Sequence, residues 1–184
     1  MPQQLNPFSR IVPLIIAAAV VLADRLTKLE IQQALSNYDS IPVIPGLLRI
    51  IHTENPGAAF GMLAEGNPFV RSLVLIGVSG LVLVFVAWSL WSPRSSLNSW
   101  LSRLGLSLIL GGAAGNLYDR VVHQTVTDFI EVYHLGWSFP AFNVADSAIT
   151  IGAIVLLVDL WLQNPKTYGD SARIAQQYTA AKRR

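Results

Sequence analysis

Residues 72–91, "SLVLIGVSGLVLVFVAWSLW", carry no charged side chain. An α-helix of about 20 apolar residues reaches across the hydrocarbon core of a bilayer, and a buried helix of a soluble domain rarely stays uncharged for that long. This stretch commits the chain to a membrane. Extended by its flanks to residues 69–91, it joins three further apolar windows at about residues 11–29, 101–118 and 141–162. The expectation is an α-helical integral membrane protein with four transmembrane helices. The chain has 184 residues, 52% of them hydrophobic and 13% charged. That balance is too apolar for a small soluble domain and suits one membrane-embedded domain over residues 1–165, with a polar cytoplasmic tail at 166–184.

The first window has a second reading as a cleaved signal peptide, because Arg10 precedes an apolar run that ends in small residues near "VVLADR". Asp24 and Lys28 follow at helical spacing, which favours a retained span with inward polar contacts. Lysine and arginine placement sets orientation, since positively charged loops stay cytoplasmic. Arg10, Arg94 and Arg103 mark one side, as do Lys166, Arg173, Lys182, Arg183 and Arg184. Both termini are therefore expected to be cytoplasmic, with residues 30–68 and 120–140 outside. The net charge of +2 is a topology signal. It gives no support to nucleic-acid binding, because no aromatic platform is interleaved with the basic residues. There is no cysteine, so thiolate chemistry, Cys-ligated metals and disulfides are excluded.

Both outside segments read as short strands. "LLRIIH" at 47–52 is a β-branched run between Pro/Gly turns, and "VTDFIEVYHLGWSFPAF" at 126–142 alternates large apolar with polar groups and is rich in aromatics. The two are expected to pair into a small extracytoplasmic sheet. The link 92–100 is short, so the helices on either side of it should be antiparallel neighbours. Gly111 and Gly115 stand four apart, a small-residue face suited to close helix packing.

A carboxylate within a span costs on the order of 3 kcal/mol and is a functional candidate by default. Asp159 falls near the cytoplasmic end of the last window and reads as a solvated end charge. Asp146 lies at the outer end of that window, where a helix N-terminus also favours negative charge. Asp128 follows the outer end of the third window and faces the same compartment at the same depth. Two carboxyls brought within reach cannot both ionise easily, which supplies a base and an acid together. Asn143, Asn116, Arg120 and Asn55 gather at that depth as possible donors to a carbonyl or to the acids.

Rival chemistries are weaker. "GVSG" at 77–80 resembles the serine motif of rhomboid proteases, but His52, His123 and His134 all fall in outside segments and leave Ser79 without a base. The HExxH spacing of zinc hydrolases is absent. Two non-proteolytic readings stay open: a proton relay through Asp24, Lys28 and the outer acids, and an assembly subunit held by its glycine face.

Five motifs in order resemble the lipoprotein signal peptidase (signal peptidase II) family of bacterial membrane aspartyl proteases: "ADRLTK", "NPGAAFG", "GGAAGNLYDRV", "VTDFIEVY" and "FNVADSAITIG". They cover most of residues 24–152 with no departure at a motif position. The resemblance implies a multi-pass enzyme of the bacterial inner membrane that removes signal peptides from diacylglyceryl-modified prolipoproteins at the extracytoplasmic face. It implies Asp128 and Asp146 as the catalytic dyad. Asn55, Gly57, Asn116, Arg120 and Asn143 would position substrate or acids, and Asp24 with Lys28 would brace the first helix. It implies no metal and no cofactor. A monomer surrounded by membrane lipids is expected. From the aromatic content of residues 129–142, the outer sheet is expected to cover the site, with residues 133–137 as part of the lid.

Overall fold

The computed structural model describes residues 7–37, 39–57, 67–92 and 97–163. Arg94, residues 58–61 of the "NPGAAFG" motif and the tail 166–184 lie outside them. Four helices and one sheet make up the described fold: α1 (Pro7–Ala34), β1 (Ser40–Ile44), β2 (Leu48–Asn55), α2 (Pro68–Trp91), α3 (Trp100–Val122), β3 (Val126–His134), β4 (Trp137–Ser138) and α4 (Val144–Leu162). The sheet is antiparallel in the order β1-β2-β3-β4, and it sits at the end of the bundle where α1 and α3 finish and α2 and α4 begin.

The helices are apolar outside and polar inside. Leu73, Leu81, Val84 and Phe85 of α2 and Ile151, Ile154, Leu157 and Trp161 of α4 are exposed, whereas Asp24, Lys28, Ser102, Ser107, Asn116, Asp119 and Asn143 are buried. Such a surface suits lipid as solvent, where burying apolar groups offers little gain and interior polar groups must satisfy one another. Among the described residues two helices, α2 and α4, are long and apolar enough to cross a membrane by length and composition, with mean hydropathies of 2.5 and 1.8.

Central α3 packs on all three other helices. Its tightest neighbour is α4, because glycines let the two backbones touch. A Cβ on Gly105 would lie 2.7 Å from the Gly152 carbonyl oxygen, and one on Gly112 would run into the Ala145 carbonyl oxygen. Gly111 makes the same approach to α1, where a Cβ would lie 2.7 Å from the Ala17 oxygen. The sequence pattern pointed to Gly111 and Gly115; Gly105, Gly112 and Gly152 were not apparent from it.

In the sheet, β1 contains Pro42 and occupies an edge, where a missing N–H is tolerated. The β1–β2 turn closes with Leu47 N–H on the Ile44 oxygen at 3.0 Å, and Gly46 supplies the positive φ of 77° that follows Pro45. The expected pairing of the two outside segments is present as β2 against β3.

One expectation is narrowed and one is corrected. The last apolar window spans about 141–162, and the helix α4 within it begins at Val144. Phe142 remains extended and exchanges hydrogen bonds with Ile130 at 2.8 and 3.0 Å, so the helix cannot start before Asn143 caps it. Asp159 is no solvated end charge: it is 4% exposed, accepts the hydroxyls of Ser99 and Ser102 and takes a hydrogen bond from Gln163 Nε2 at 2.7 Å. Antiparallel packing lays the N-terminal serines of α3 over the last turns of α4.

Candidate active site

Asp128 stands in β3 opposite Thr53 of β2, and Asp146 in the first turn of α4. Both line one cavity of about 810 Å³. Asn143 links them. Its Nδ2 donates to Asp128 Oδ1 at 2.7 Å, its backbone N–H to Asp146 Oδ2 at 3.3 Å, and its Oδ1 accepts from Asp146 N–H at 2.9 Å. The last two bonds form a capping box, so the bland role of Asp146 as a helix-terminal acid holds as well.

The remaining carboxylate oxygens receive side-chain amides. Asn55 Nδ2 donates to Asp128 Oδ2 at 3.0 Å, and Asn116 Nδ2 to Asp146 Oδ1 at 2.7 Å. Asn55 is itself oriented by Gly57, whose N–H donates to its Oδ1 at 2.9 Å. Arg120 lines the same cavity beside both acids and bonds the Asn116 carbonyl oxygen at 3.4 Å; its buried Nε has no hydrogen-bond partner among the described residues. Burial pushes the Asp128 carboxyl up to about 6, the N–H groups of Asn55 and Asn143 pull against that rise, and the charge of Asp146 adds to it.

Opposite this polar corner the cavity wall is apolar, built from Phe139, Pro140, Ala141 and Phe142 before α4 and from Ile149 and Ile151 on it. Tyr133, Leu135 and Trp137 do not line the cavity. Leu135 is 92% exposed at the tip of the β3–β4 hairpin, and among the described residues the aromatic part of the wall comes from residues 139–142.

Asp24 and Lys28 lie beneath the acids. Lys28 Nζ donates to Asp24 Oδ2 and Asp119 Oδ2, both at 2.7 Å, and to Asn116 Oδ1 at 3.0 Å, while Asp24 Oδ1 accepts Ala145 N–H at 3.0 Å. The cluster joins α1 to α3 and α4.

The model of the family described as Signal peptidase (SPase) II matches residues 16–162. The chain belongs to the signal peptidase II family. The lipoprotein signal peptidase of Solibacter usitatus (strain Ellin6076) is 42% identical over 147 residues, covering 79% of this chain and 87% of that one. That of Pseudomonas aeruginosa (strain UCBPP-PA14) is 41% identical over 177 residues, covering 94% and 99%. A solved bacterial membrane enzyme, determined by the in meso method at 2.3 Å, superposes with a TM-score of 0.72 at 32% identity, over 82% of this chain and 87% of that one. A second, at 1.9 Å, gives 0.71 at 31%, over 83% and 94%.

All the site residues read from this signal peptidase II sequence meet in one region, but others were missed. Asp119 is buried between Lys28 and Arg25, the latter donating at 2.6 Å while its guanidinium stacks 4.5 Å from the Tyr118 ring centre. A signal existed: Asp119 follows Asn116 by three, on the same helix face. Glu54 also lines the cavity; it accepts from Thr125 Oγ1 at 2.7 Å and Thr127 Oγ1 at 2.9 Å, with His52 Nε2 at 3.0 Å. Burial works to raise its carboxyl, yet the bonds from Thr125, His52 and Thr127 prevail and hold it below the ordinary range. Nothing in the sequence distinguished Glu54 from other strand acids.

Proposed function

We propose that this protein is an aspartic endopeptidase that removes the signal peptide from diacylglyceryl-modified prolipoproteins, with Asp128 and Asp146 as its dyad. One observation carries the reading: acids from β3 and α4 line one cavity and share Asn143. Membership of the signal peptidase II family supports the reaction.

Asp146, which accepts N–H groups from Asn116 and Asn143, is the base and takes a proton from water. Asp128, whose burial raises its carboxyl to about 6, acts in its protonated form and donates that proton in a hydrogen bond to the scissile carbonyl oxygen, so cleavage should decline as pH rises above that value. The hydroxide attacks the carbonyl carbon, the C–N bond of the tetrahedral intermediate breaks, and the proton collected by Asp146 passes to the leaving nitrogen. Arg120, which lines the cavity beside both acids, holds a substrate carbonyl.

Depth selects the bond. A diacylglyceryl group gains about 0.8 kcal/mol per buried methylene, which fixes the modified cysteine at headgroup level and brings the neighbouring peptide bond to the sheet end of the bundle. The apolar wall of Phe139, Phe142, Ile149 and Ile151 is suited to acyl chains. In this reading residues 1–165 form one peptidase domain that crosses the bacterial inner membrane four times as a monomer. Both termini and the tail are cytoplasmic, and the cavity opens on the extracytoplasmic face. Purified protein in detergent, given a lipidated precursor, should cleave it in the presence of a chelator and lose that activity in Asp128→Asn and in Asp146→Asn. Chelator-sensitive cleavage, or cleavage surviving either substitution, overturns the dyad.

A further inference from the structure

We infer that Lys28 is a positioning residue for cleavage, its ammonium deciding which end of the Asn116 amide faces Asp146. The inference rests on the dyad reading. An ammonium group has donors and no acceptor, so the Asn116 atom 3.0 Å from Lys28 Nζ must be the oxygen. Asn143 Nδ2 donates to the same oxygen at 3.3 Å. The amide therefore turns its Nδ2 to Asp146 Oδ1 at 2.7 Å. A flipped amide would set NH₂ against the ammonium and oxygen against the carboxylate.

Lys28 has no freedom to relax this constraint. It is fully buried, and its other two protons are held at 2.7 Å by Asp24 of its own helix and Asp119 of α3. The far oxygen of Asp119 is closed by Arg25. The far oxygen of Asp24 takes the N–H of Ala145, next in sequence to Asp146, so one cluster sets both the donor and the first turn that carries its acceptor. The charged groups facing the dyad end of this chain are Arg120 from α3, Asp128 from β3 and Glu54 from β2; α4 contributes Asp146 itself. An N–H held on a carboxylate favours its ionised form, which is the form a general base needs. A mere brace between helices would act on folding and leave the dyad's titration alone.

The double variant Asp24→Asn/Lys28→Met removes one charge of each sign and leaves Asp119 paired with Arg25. In the folded fraction kcat should fall about a hundredfold with KM within about threefold, and the acid limb of the kcat profile should move to higher pH by about one unit. Parental kcat or an unmoved limb in folded protein overturns the inference. Should the double variant fail to fold, Asn116→Asp decides: it keeps an acceptor for Lys28 and turns an oxygen on Asp146, so the same loss and the same shift are expected, and activity within about threefold of the parent overturns the inference. Asp146→Asn in the parent separates the two ideas. If it abolishes cleavage while the other variants stay active, the dyad stands and the role of Lys28 falls; if it stays active, the dyad itself fails.

Discussion

Asn143 shows how much one side chain can decide. It is fully buried and bonds both acids, so the cap of α4 and the spacing of the candidate dyad are one feature. Asp128 is held at about 6 against an ordinary 3.8, so the folded protein binds this proton more tightly than the unfolded chain does. That contribution to stability is complete below about pH 4 and lost as pH rises through 6. At neutral pH the buried charge costs about 3 kcal/mol, from roughly two units of displacement. Asp128→Asn relieves that cost but leaves Asn55 or Asn143 without an acceptor, worth about 1 kcal/mol. The variant should therefore be inactive and yet melt at higher temperature than its parent at pH 7.5, the advantage vanishing below pH 4; melting in detergent across that range checks it.

At the scale of elements, the α3–α4 pair governs the site, because one of the glycine contacts that set their crossing, Gly112 against Ala145, lies next to Asp146. Gly112→Ala would drive a methyl into the Ala145 carbonyl. It should cost about 1–3 kcal/mol and lower cleavage, whereas Gly77→Ala on α2, which meets nothing within 4 Å, should leave cleavage unchanged and slightly favour the helix. Melting and turnover of the two variants distinguish a contact effect from a general effect of glycine. The far end of the same pair is clasped by Asp159. Asp159→Ala removes the acceptor of Ser99, Ser102 and Gln163, each bond worth about 1 kcal/mol, and should lower the melting temperature while per-molecule turnover stays at the parental level.

For the whole molecule, the sheet and the cavity occupy one end of the bundle, and the last turn of α2 and the first turn of α3 the other. Absence of cysteine permits a direct topology test. Leu135→Cys at the exposed hairpin tip should react with a membrane-impermeant maleimide applied outside spheroplasts. Ser92→Cys, at the opposite end of α2, should react only after the membrane is opened. Labelling of both from outside would count against the proposed orientation.

Hydropathy, turn residues and motif order determined a great deal unaided: a membrane protein of long helices, a small sheet from the segments that follow the first and third helices, and Asp128, Asp146, Asn55, Asn116, Arg120 and Asn143 as the residues to examine. These were legible because transfer free energy and backbone preference belong to each residue and its near neighbours, whatever the rest of the chain does. Tertiary structure alone decided that Asp119 and Arg25 complete the Lys28 cluster, that Asp159 is buried, that α4 waits until Val144, and that residues 139–142 wall the cavity. Each of these depends on which groups face one another across α1, α3, α4 and β3. That is a matter of crossing geometry set by Gly105, Gly111, Gly112 and Gly152, and a polar side chain's partner has no value until the helices have met.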